Sequence, residues 1–208
     1  MVLKIDHVSF SCGNETNWSD ILTDDYTNSF IELNLVNIAC KIPFLKHGSK
    51  THNIIMCDAG ASNIPIEITQ YPEVHGYNND IRIHGRYIEW NVKDVKKSAE
   101  FFKIVGFQVL EENESNILIS LKTILDKNPI QIYLGESKEV SAEGFLDIFG
   151  YSSLAIIVDN LDKEIKKYKE NGFYTTEISD LKVNGNMLSI AFVKGNCNEI
   201  IELIAFKI

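Results

Sequence analysis

The chain has 208 residues, of which 45% are apolar, and a formal net charge of −9. This length is enough for one large domain or two small ones with a sizeable core. The acidic charge, without a Lys/Arg cluster in any one segment, argues against binding to nucleic acid or to an anionic membrane surface.

Other features narrow the class of protein further. No apolar stretch approaches the roughly 20 residues of a membrane span, and the first residues lack the basic-then-apolar order of a signal peptide. We therefore expect a cytoplasmic protein whose partner is a small molecule or another protein chain. The four cysteines include no CxxC pair, which favours buried thiols over a zinc or disulfide framework.

The first 75 residues begin with a clear strand pattern. Between Asp6 and Cys12, apolar and polar side chains alternate, so that His7 lies on the open face of the predicted strand. Residues 51–57 and 65–68 are also typical of strands, whereas residues 15–50 match no regular pattern. Residues 72–80 are rich in turn formers and predict a linker.

A complete unit is predicted over residues 81–137. Its first strand alternates, with Ile88 and Trp90 on the covered face. Asp94 has the N-cap position of a helix that ends at Gly106. Three strand-like runs follow, at residues 107–110, 116–121 and 130–134, so the unit has the order β-α-β-β-β.

Residues 150–208 repeat this plan. Val158 follows Val92 at a distance of 66 residues, Asn160 has the N-cap position of Asp94, and Gly172-Phe173 repeats Gly106-Phe107. A repeat of this length indicates duplicated supersecondary units, which usually build a site between copies.

These units resemble the modules of the vicinal oxygen chelate superfamily, which includes glyoxalase I, bleomycin-resistance proteins and extradiol dioxygenases. The resemblance covers residues 81–208 well and residues 1–75 weakly. It implies an α+β fold in which repeated βαβββ modules form a cupped mixed sheet with helices on its outer face. We expect a divergent module at 1–75 and a two-module domain at 81–208, made of 81–137 and 150–208, and leave open which modules pair.

The resemblance also implies a divalent metal on the open face of the cup, held by the first and last strands. The corresponding first-strand residues are His7, Tyr87 and Ser153, and the last-strand residues are Glu67, Gln131 and Glu202. Of these, His7, Glu67 and Glu202 are of the types that bind Ni, Zn, Mn or Fe. His7 and Glu67 form a half-site that a second copy in a homodimer, or Glu202 of the same chain, would complete. The alternative is a hydrogen bond between His7 and Glu67 across the sheet.

A second candidate site lies on the open face of residues 81–137. Tyr87, Glu89 and Asn91 alternate along its first strand, and Gln131 and Tyr133 join them from the last strand, so this face offers groups for a polar organic ligand. Glu89, if desolvated there, is predicted to act as a general base. Ser153 is the matching ligand-binding position in the third unit. The alternative is that this face is plain wet surface.

Three functions follow from the resemblance. The first is binding of a small oxygen-rich or aromatic metabolite in the cup, with a metal-dependent lyase or isomerase of the glyoxalase type as its enzyme version. The second is a metal-free protein that sequesters a small, antibiotic-like molecule, and the third is a non-catalytic scaffold. The number of metal ligands separates the first two, because enzymes of this type keep three or four ligands in each cup.

Overall fold

The computed structural model describes residues 1–17, 20–22, 26–58, 64–75, 87–126, 128–140 and 143–207. The predicted start of the second module, residues 81–86, and residues 76–80 of the predicted linker lie outside these ranges. No helix in the described part of the chain combines the length and the apolar character that a membrane span requires.

The first module contributes four strands: β1 (Val2–Gly13), β2 (Thr27–Val36), β3 (Thr51–Asp58) and β4 (Ile66–Tyr71). They are hydrogen-bonded in the order β1-β4-β3-β2. Among its described residues, this module has no α-helix; a short 3-10 helix (Ile42–Phe44) precedes β3. The described part of the stretch 15–50, for which the sequence pattern predicts no structure, therefore includes the strand β2 and this 3-10 helix.

The second module follows the predicted plan with β5 (Tyr87–Val92), α1 (Val95–Val105), β6 (Gln108–Glu112), β7 (Asn116–Leu121) and β8 (Ile130–Glu136). Its sheet has the order β5-β8-β7-β6. The predicted N-cap is confirmed, because the Asp94 carboxylate accepts from the backbone N–H groups of Lys96 and Lys97 at 3.1 and 3.0 Å. Gly106, at φ 126°, ends the helix in a conformation that favours glycine.

The third module contains β9 (Gly150–Val158), α2 (Leu161–Glu170), β10 (Tyr174–Thr175), β11 (Ser179–Val183), β12 (Asn186–Lys194) and β13 (Ile200–Phe206). Asn160 caps α2 by accepting from the backbone N–H of Lys163 at 2.8 Å. The β11–β12 hairpin turns at Asn184 and Gly185, both with positive φ, as a two-residue hairpin turn requires.

The first and third modules share one sheet. β1 runs antiparallel to β9, with His7 opposite Ala155, Val8 opposite Leu154 and Ser9 opposite Ser153. The strand order is β10-β12-β13-β9-β1-β4-β3-β2, with β11 beside β12, and the second module forms its own four-stranded sheet. Among the described strands, the first and third modules are therefore the two that share a sheet, a choice that the sequence leaves open.

The second module packs against the outer face of the shared sheet. The Trp90 ring lies 6.5 Å from that of Tyr151 on β9, and the Phe101 ring of α1 lies 4.9 Å from Phe173. Phe10 of β1 belongs to the same continuous core as these residues. Because the first module has no α-helix in its described part, the second module covers apolar surface that would otherwise be bare.

The shared sheet is curled into a cup. β2 lies at one end of its strand order and the β11–β12 hairpin at the other, yet the backbone N–H of Asn184 in the hairpin donates to the carboxylate of Glu32 on β2. The two ends enclose a cavity of about 250 Å³. The predicted α+β fold with a cupped mixed sheet is thus confirmed, with its cup built from the first and third modules.

Candidate functional site

Three of the predicted metal ligands meet on the floor of the cup. His7 Nε2 lies 3.5 Å from Glu67 Oε2 and 3.9 Å from Glu202 Oε2. These residues come from β1, β4 and β13, which are close together because β9 and β1 join the two modules in the strand order. Their exposed fractions are only 3%, 7% and 6%. Of the residues predicted to complete the His7–Glu67 half-site, Glu202 of the same chain is thus close to His7 in the structure.

Neighbouring side chains fix the orientation of these ligands. His7 Nδ1 donates to Asp6 Oδ2 at 3.0 Å, which leaves Nε2 directed at the two glutamates. Within the described residues, this buried Nε2 has no hydrogen-bond partner. Thr69 Oγ1 donates to Glu67 Oε1 at 2.8 Å, so only the other carboxylate oxygen of Glu67 faces the histidine. A histidine held by a carboxylate in this way is the usual arrangement behind a metal-bound imidazole.

Burial and neighbouring charges shift the pKa of each group. Burial by itself would lower the pKa of His7, but the carboxylates of Glu67 and Asp6 raise it to about 9. Burial raises the pKa of the Glu202 carboxyl, against the opposing effects of Lys41 and His7. Burial would also raise the pKa of Asp6, but the hydrogen bond from His7 lowers it. At neutral pH and without a metal, His7 is therefore an imidazolium among carboxylates.

Lys41 is a site residue that the sequence did not reveal. Its buried side chain borders the cavity, and Nζ donates to His52 Nε2 at 3.2 Å. Burial and the Lys41 charge lower the pKa of His52 to about 2, so this imidazole stays neutral and accepts. Lys41 comes from the stretch 15–50, just before the 3-10 helix, where no periodic pattern placed any residue. No sequence signal could have found it.

The residue types on the floor fit a divalent metal. Imidazole nitrogen and carboxylate oxygens are the donors that Ni, Zn, Mn and Fe accept in proteins. His7 presents an unpartnered Nε2, and its other nitrogen is already held by Asp6. In the described residues, however, no three His, Cys, Asp or Glu side chains are grouped tightly enough to hold an ion. The glutamates would therefore have to close on a metal when it binds.

Ser153 occupies the position in the third module that His7 occupies in the first. Val8 lies opposite Ile66 and Leu154 opposite Ile201, so the residues that precede Val8 and Leu154 correspond. Ser153 borders a small space beneath the cup together with Glu67 and Glu202. The four positions that the resemblance implies thus hold three strong ligand types and one hydroxyl, and the hydroxyl does not line the larger cavity.

The walls of the cavity are largely apolar. One wall comes from β2 and β3 and the other from the β11–β12 hairpin and its neighbours; the side chains are Phe30, Ile54, Met56, Leu181, Leu188, Ile190 and Phe206. A volume of about 250 Å³ is just below the range of about 300–1,000 Å³ that is usual for small-molecule sites. The cup therefore suits a small ligand with a polar end toward the floor.

The other predicted site residues lie elsewhere, on the open face of the second module. The Tyr87 and Tyr133 rings are stacked, with centroids 6.2 Å apart, and Glu89 and Asn91 are exposed. Glu89 lies opposite Tyr133, as Ser9 lies opposite Glu67 in the first module. Tyr133, and not Gln131, is thus the counterpart of Glu67; the match that the sequence suggested is displaced by two residues. None of these residues borders the cavity of the cup.

Comparisons with known proteins give structural similarity without sequence similarity. No model of a known protein family matches the chain, and no curated protein matches it significantly. Among solved structures, a glyoxalase/bleomycin resistance protein/dioxygenase from Alicyclobacillus acidocaldarius is 15% identical, with 58% of this chain and 89% of that chain covered and a TM-score of 0.44. A mutant glyoxalase I from Zea mays is 14% identical, with 97% and 67% covered and a TM-score of 0.43.

Similarity at this level concerns the fold alone, so the function has to be argued from the side chains of this chain. The repeated modules, the antiparallel joining of β1 to β9 and the curled sheet between them agree with the vicinal oxygen chelate fold that the sequence resembles.

Proposed function

We propose that this protein binds a small, oxygen-rich metabolite in the cup between its first and third modules and acts on it as a metal-dependent lyase or isomerase. One observation carries the proposal: the buried, unpartnered Nε2 of His7 faces the carboxylates of Glu67 and Glu202. An imidazole nitrogen that faces two buried carboxylates is a donor set that suits a divalent metal, which favours a role in binding.

His7, Glu67 and Glu202 are the residues that would hold the metal. When bound, a divalent metal supplies Lewis-acid stabilisation of negative charge on a ligand oxygen, such as that of an enediolate. The chain supplies the rest. Asp6 holds the imidazole in the tautomer that leaves Nε2 available, and the apolar walls limit the access of water to the floor.

Lys41 favours a second candidate, a metal-free protein that sequesters a small anionic molecule. Lys41 lines the cavity together with Glu67 and Glu202, and its positive charge opposes the rise that burial causes in the pKa of the Glu202 carboxyl. Together with the imidazolium of His7, this charge would bind a carboxylate-bearing ligand at the closed end of the cup. The cavity that remains between the two ends of the sheet argues against a scaffold whose cup is filled by side chains.

Metal analysis of protein purified without a chelator or a nickel affinity column tests the leading candidate. We expect about one ion per chain, because all three ligands belong to one chain. Adding Mn²⁺, Ni²⁺ or Zn²⁺ to stripped protein should raise its melting temperature. His7→Ala, Glu67→Ala and Glu202→Ala should each abolish the bound metal and the rise in melting temperature. Each variant keeps only two of the three ligands, which is too few to hold the ion.

Glu89→Ala is the matched control, because it removes an exposed carboxylate on the other sheet and should change neither result. Stoichiometric metal that survives all three ligand substitutions would contradict this site. Metal-free protein whose melting temperature does not respond to any of the ions would leave the sequestering function as the better one.

Lys41→Met distinguishes the two candidates in a second way. The substitution removes the charge and keeps a long apolar stem, so the cavity wall is retained. If the Lys41 ammonium is the positive charge that balances the floor carboxylates, the variant should gain a metal-dependent rise in melting temperature that the unmodified protein lacks. If a metal ion has that role, the melting temperatures of both proteins should rise when the metal is added. A response in neither protein would argue against metal binding at this floor.

A further inference from the structure

A buried glutamate in the β12–β13 loop (residues 195–199) takes no part in the cup. Glu199 is completely buried, yet it does not border the cavity. Its carboxyl lies against the second module instead, beside Ser98 of α1 and close to the helix cap Asp94. Acidic side chains are almost never fully buried unless they are paired, so this position is costly for a charged carboxylate.

The loop is built around this carboxyl. The backbone N–H of Cys197 donates to Glu199 Oε2 at 2.8 Å, and the N–H of Gly195 donates to the Glu199 carbonyl at 2.8 Å. A Cβ atom at position 195 would collide with Glu199 Oε2 and press on the Phe101 ring of α1. Glycine is therefore required there, because the carboxyl and the helix fill the space that a side chain would need.

Polar groups connect the loop to the second module. Asn198 donates to the carbonyl of Asn91 at the end of β5, at 3.1 Å. Ser98 of α1 is fully buried, and among the described residues neither its Oγ nor Glu199 Oε1 has a hydrogen-bond partner. A neutral carboxyl adds a donor, Oε1–H, to this pair. A small shift of either side chain would then join the loop to α1 without burying a charge.

The surroundings of Glu199 favour the neutral carboxyl. The titratable groups that face it in the described part of the chain are Asp94, at the cap of α1, and the Cys197 thiol in its own loop. Both groups are acidic, and Lys97 pairs with Asp94 at 3.4 Å. Burial raises the pKa of the Glu199 carboxyl and the Asp94 charge adds to the rise, against the Ser98 hydroxyl and the backbone N–H of Cys197.

We propose that Glu199 is a proton-operated latch, which holds the β12–β13 loop on α1 of the second module while its carboxyl is neutral and releases the loop when the carboxyl is charged. A carboxylate is much better solvated in water than at this buried position, so loss of the proton favours the open loop. β13 begins at the next residue and carries Glu202, so the latch lies at the start of a strand that reaches the floor of the cup.

The direction of the pH dependence follows from the raised pKa. The ordinary pKa of a glutamate is 4.5, and in the closed loop that of Glu199 is higher. The stability of the closed loop is therefore fully present below the ordinary value and is lost as the pH rises through the raised value. Between these two values the open loop binds fewer protons, so the opening constant should rise by up to about tenfold per pH unit.

Amide hydrogen exchange at several pH values tests the latch. The protection factors of the Gly195 and Cys197 N–H groups, which are bonded to Glu199, should fall as the pH rises above 4.5. Glu199→Gln cannot ionise and keeps an acceptor for Cys197, so its protection factors should not change with pH. Glu100→Gln is the matched control, because it removes an exposed carboxylate from α1 and should retain the pH dependence.

Two further measurements separate the latch from other titrations. His7→Gln should leave the pH dependence of the loop amides unchanged, because the imidazolium lies on the floor of the cup. The infrared difference between the unmodified protein and Glu199→Gln should contain the band of a neutral carboxyl at pH values above 4.5. Loop protection that does not vary with pH in the unmodified protein would overturn the proposal. So would a pH dependence that survives Glu199→Gln, or a neutral-carboxyl band that disappears at the ordinary pKa.

Discussion

Residues 81–208, prepared without residues 1–75, should fail to unfold as a cooperative unit. The truncation removes β1, so β9 loses the antiparallel partner that joins it to the first module. It also removes Phe10, whose ring packs against Tyr151 and Phe149 at centroid distances of 5.6 and 5.4 Å. Calorimetry should show a broad transition or none, where the full chain gives a single peak.

The expected loss is large compared with the stability of a whole domain. Val8, Phe10, Ile66 and Ile68 are fully buried, and each such side chain contributes about 1.5–3 kcal/mol when it is removed from water. A folded domain is stable by only about 5–15 kcal/mol in total. Deleting the first module exposes the surfaces that these residues cover on β9 and on the second module, so little net stability remains.

Mixing separately prepared fragments 1–75 and 81–208 provides the control. The mixture should regain a cooperative transition, because the β1–β9 pairing can form between two chains. A fragment 81–208 that melts cooperatively by itself, close to the melting temperature of the full chain, would contradict this prediction. That result would instead support the two-module domain that the sequence repeat suggests.

The modules were predictable because their signals are local. The N-caps Asp94 and Asn160 and the helix-ending Gly106 act within one turn of the chain, and strand alternation is visible within a few residues. Strand pairing is not local. β1, β5 and β9 present the same alternation, so no pattern within them distinguishes the pair that joins. Which of these strands pair depends on how the apolar face of the first module is covered. That module includes residues 15–50, for which the sequence pattern predicts no structure.

In the candidate site too, some residues were predictable from local patterns and others depend on tertiary packing. His7, Glu67 and Glu202 follow from their positions on first and last strands, and the shared sheet brings them together. Lys41 reaches the floor from an irregular segment, and its role depends on tertiary packing that no spacing rule describes. The sequence pairs Gln131 with Glu67 because each directly follows a Pro-Ile pair, Pro129-Ile130 and Pro65-Ile66. The strand register instead makes Tyr133 the counterpart of Glu67.

The stability of the metal-free protein should fall by about 3 kcal/mol as the pH rises from about 6.5 to about 9. The pKa of His7 is raised from 6.5 to about 9 in the fold. A raised pKa contributes stability that is fully present below the unfolded value and is lost as the pH passes the folded value. The carboxylates of Asp6, Glu67 and Glu202 cause the shift, opposed by burial.

Urea unfolding of chelator-treated protein at several pH values measures the slope of stability against pH. His7→Gln should remove most of this slope, because the amide does not titrate. The buried thiols of Cys12 and Cys57, with pKa values raised to about 11, affect stability only above pH 9. These thiols should therefore leave the slope between pH 6.5 and 9 unchanged.

The same titration with Mn²⁺ or Ni²⁺ present connects the slope to function. A metal binds only the neutral imidazole, so it competes with the proton at Nε2. With a metal at this floor, stability should stay level or rise toward pH 9, opposite to the metal-free protein. Parallel curves with and without metal would show that His7 is not a ligand. A metal-free protein whose stability does not change over this pH range would show that His7 is not an imidazolium held by the surrounding carboxylates. That result would remove one of the two positive charges on which the sequestering function relies.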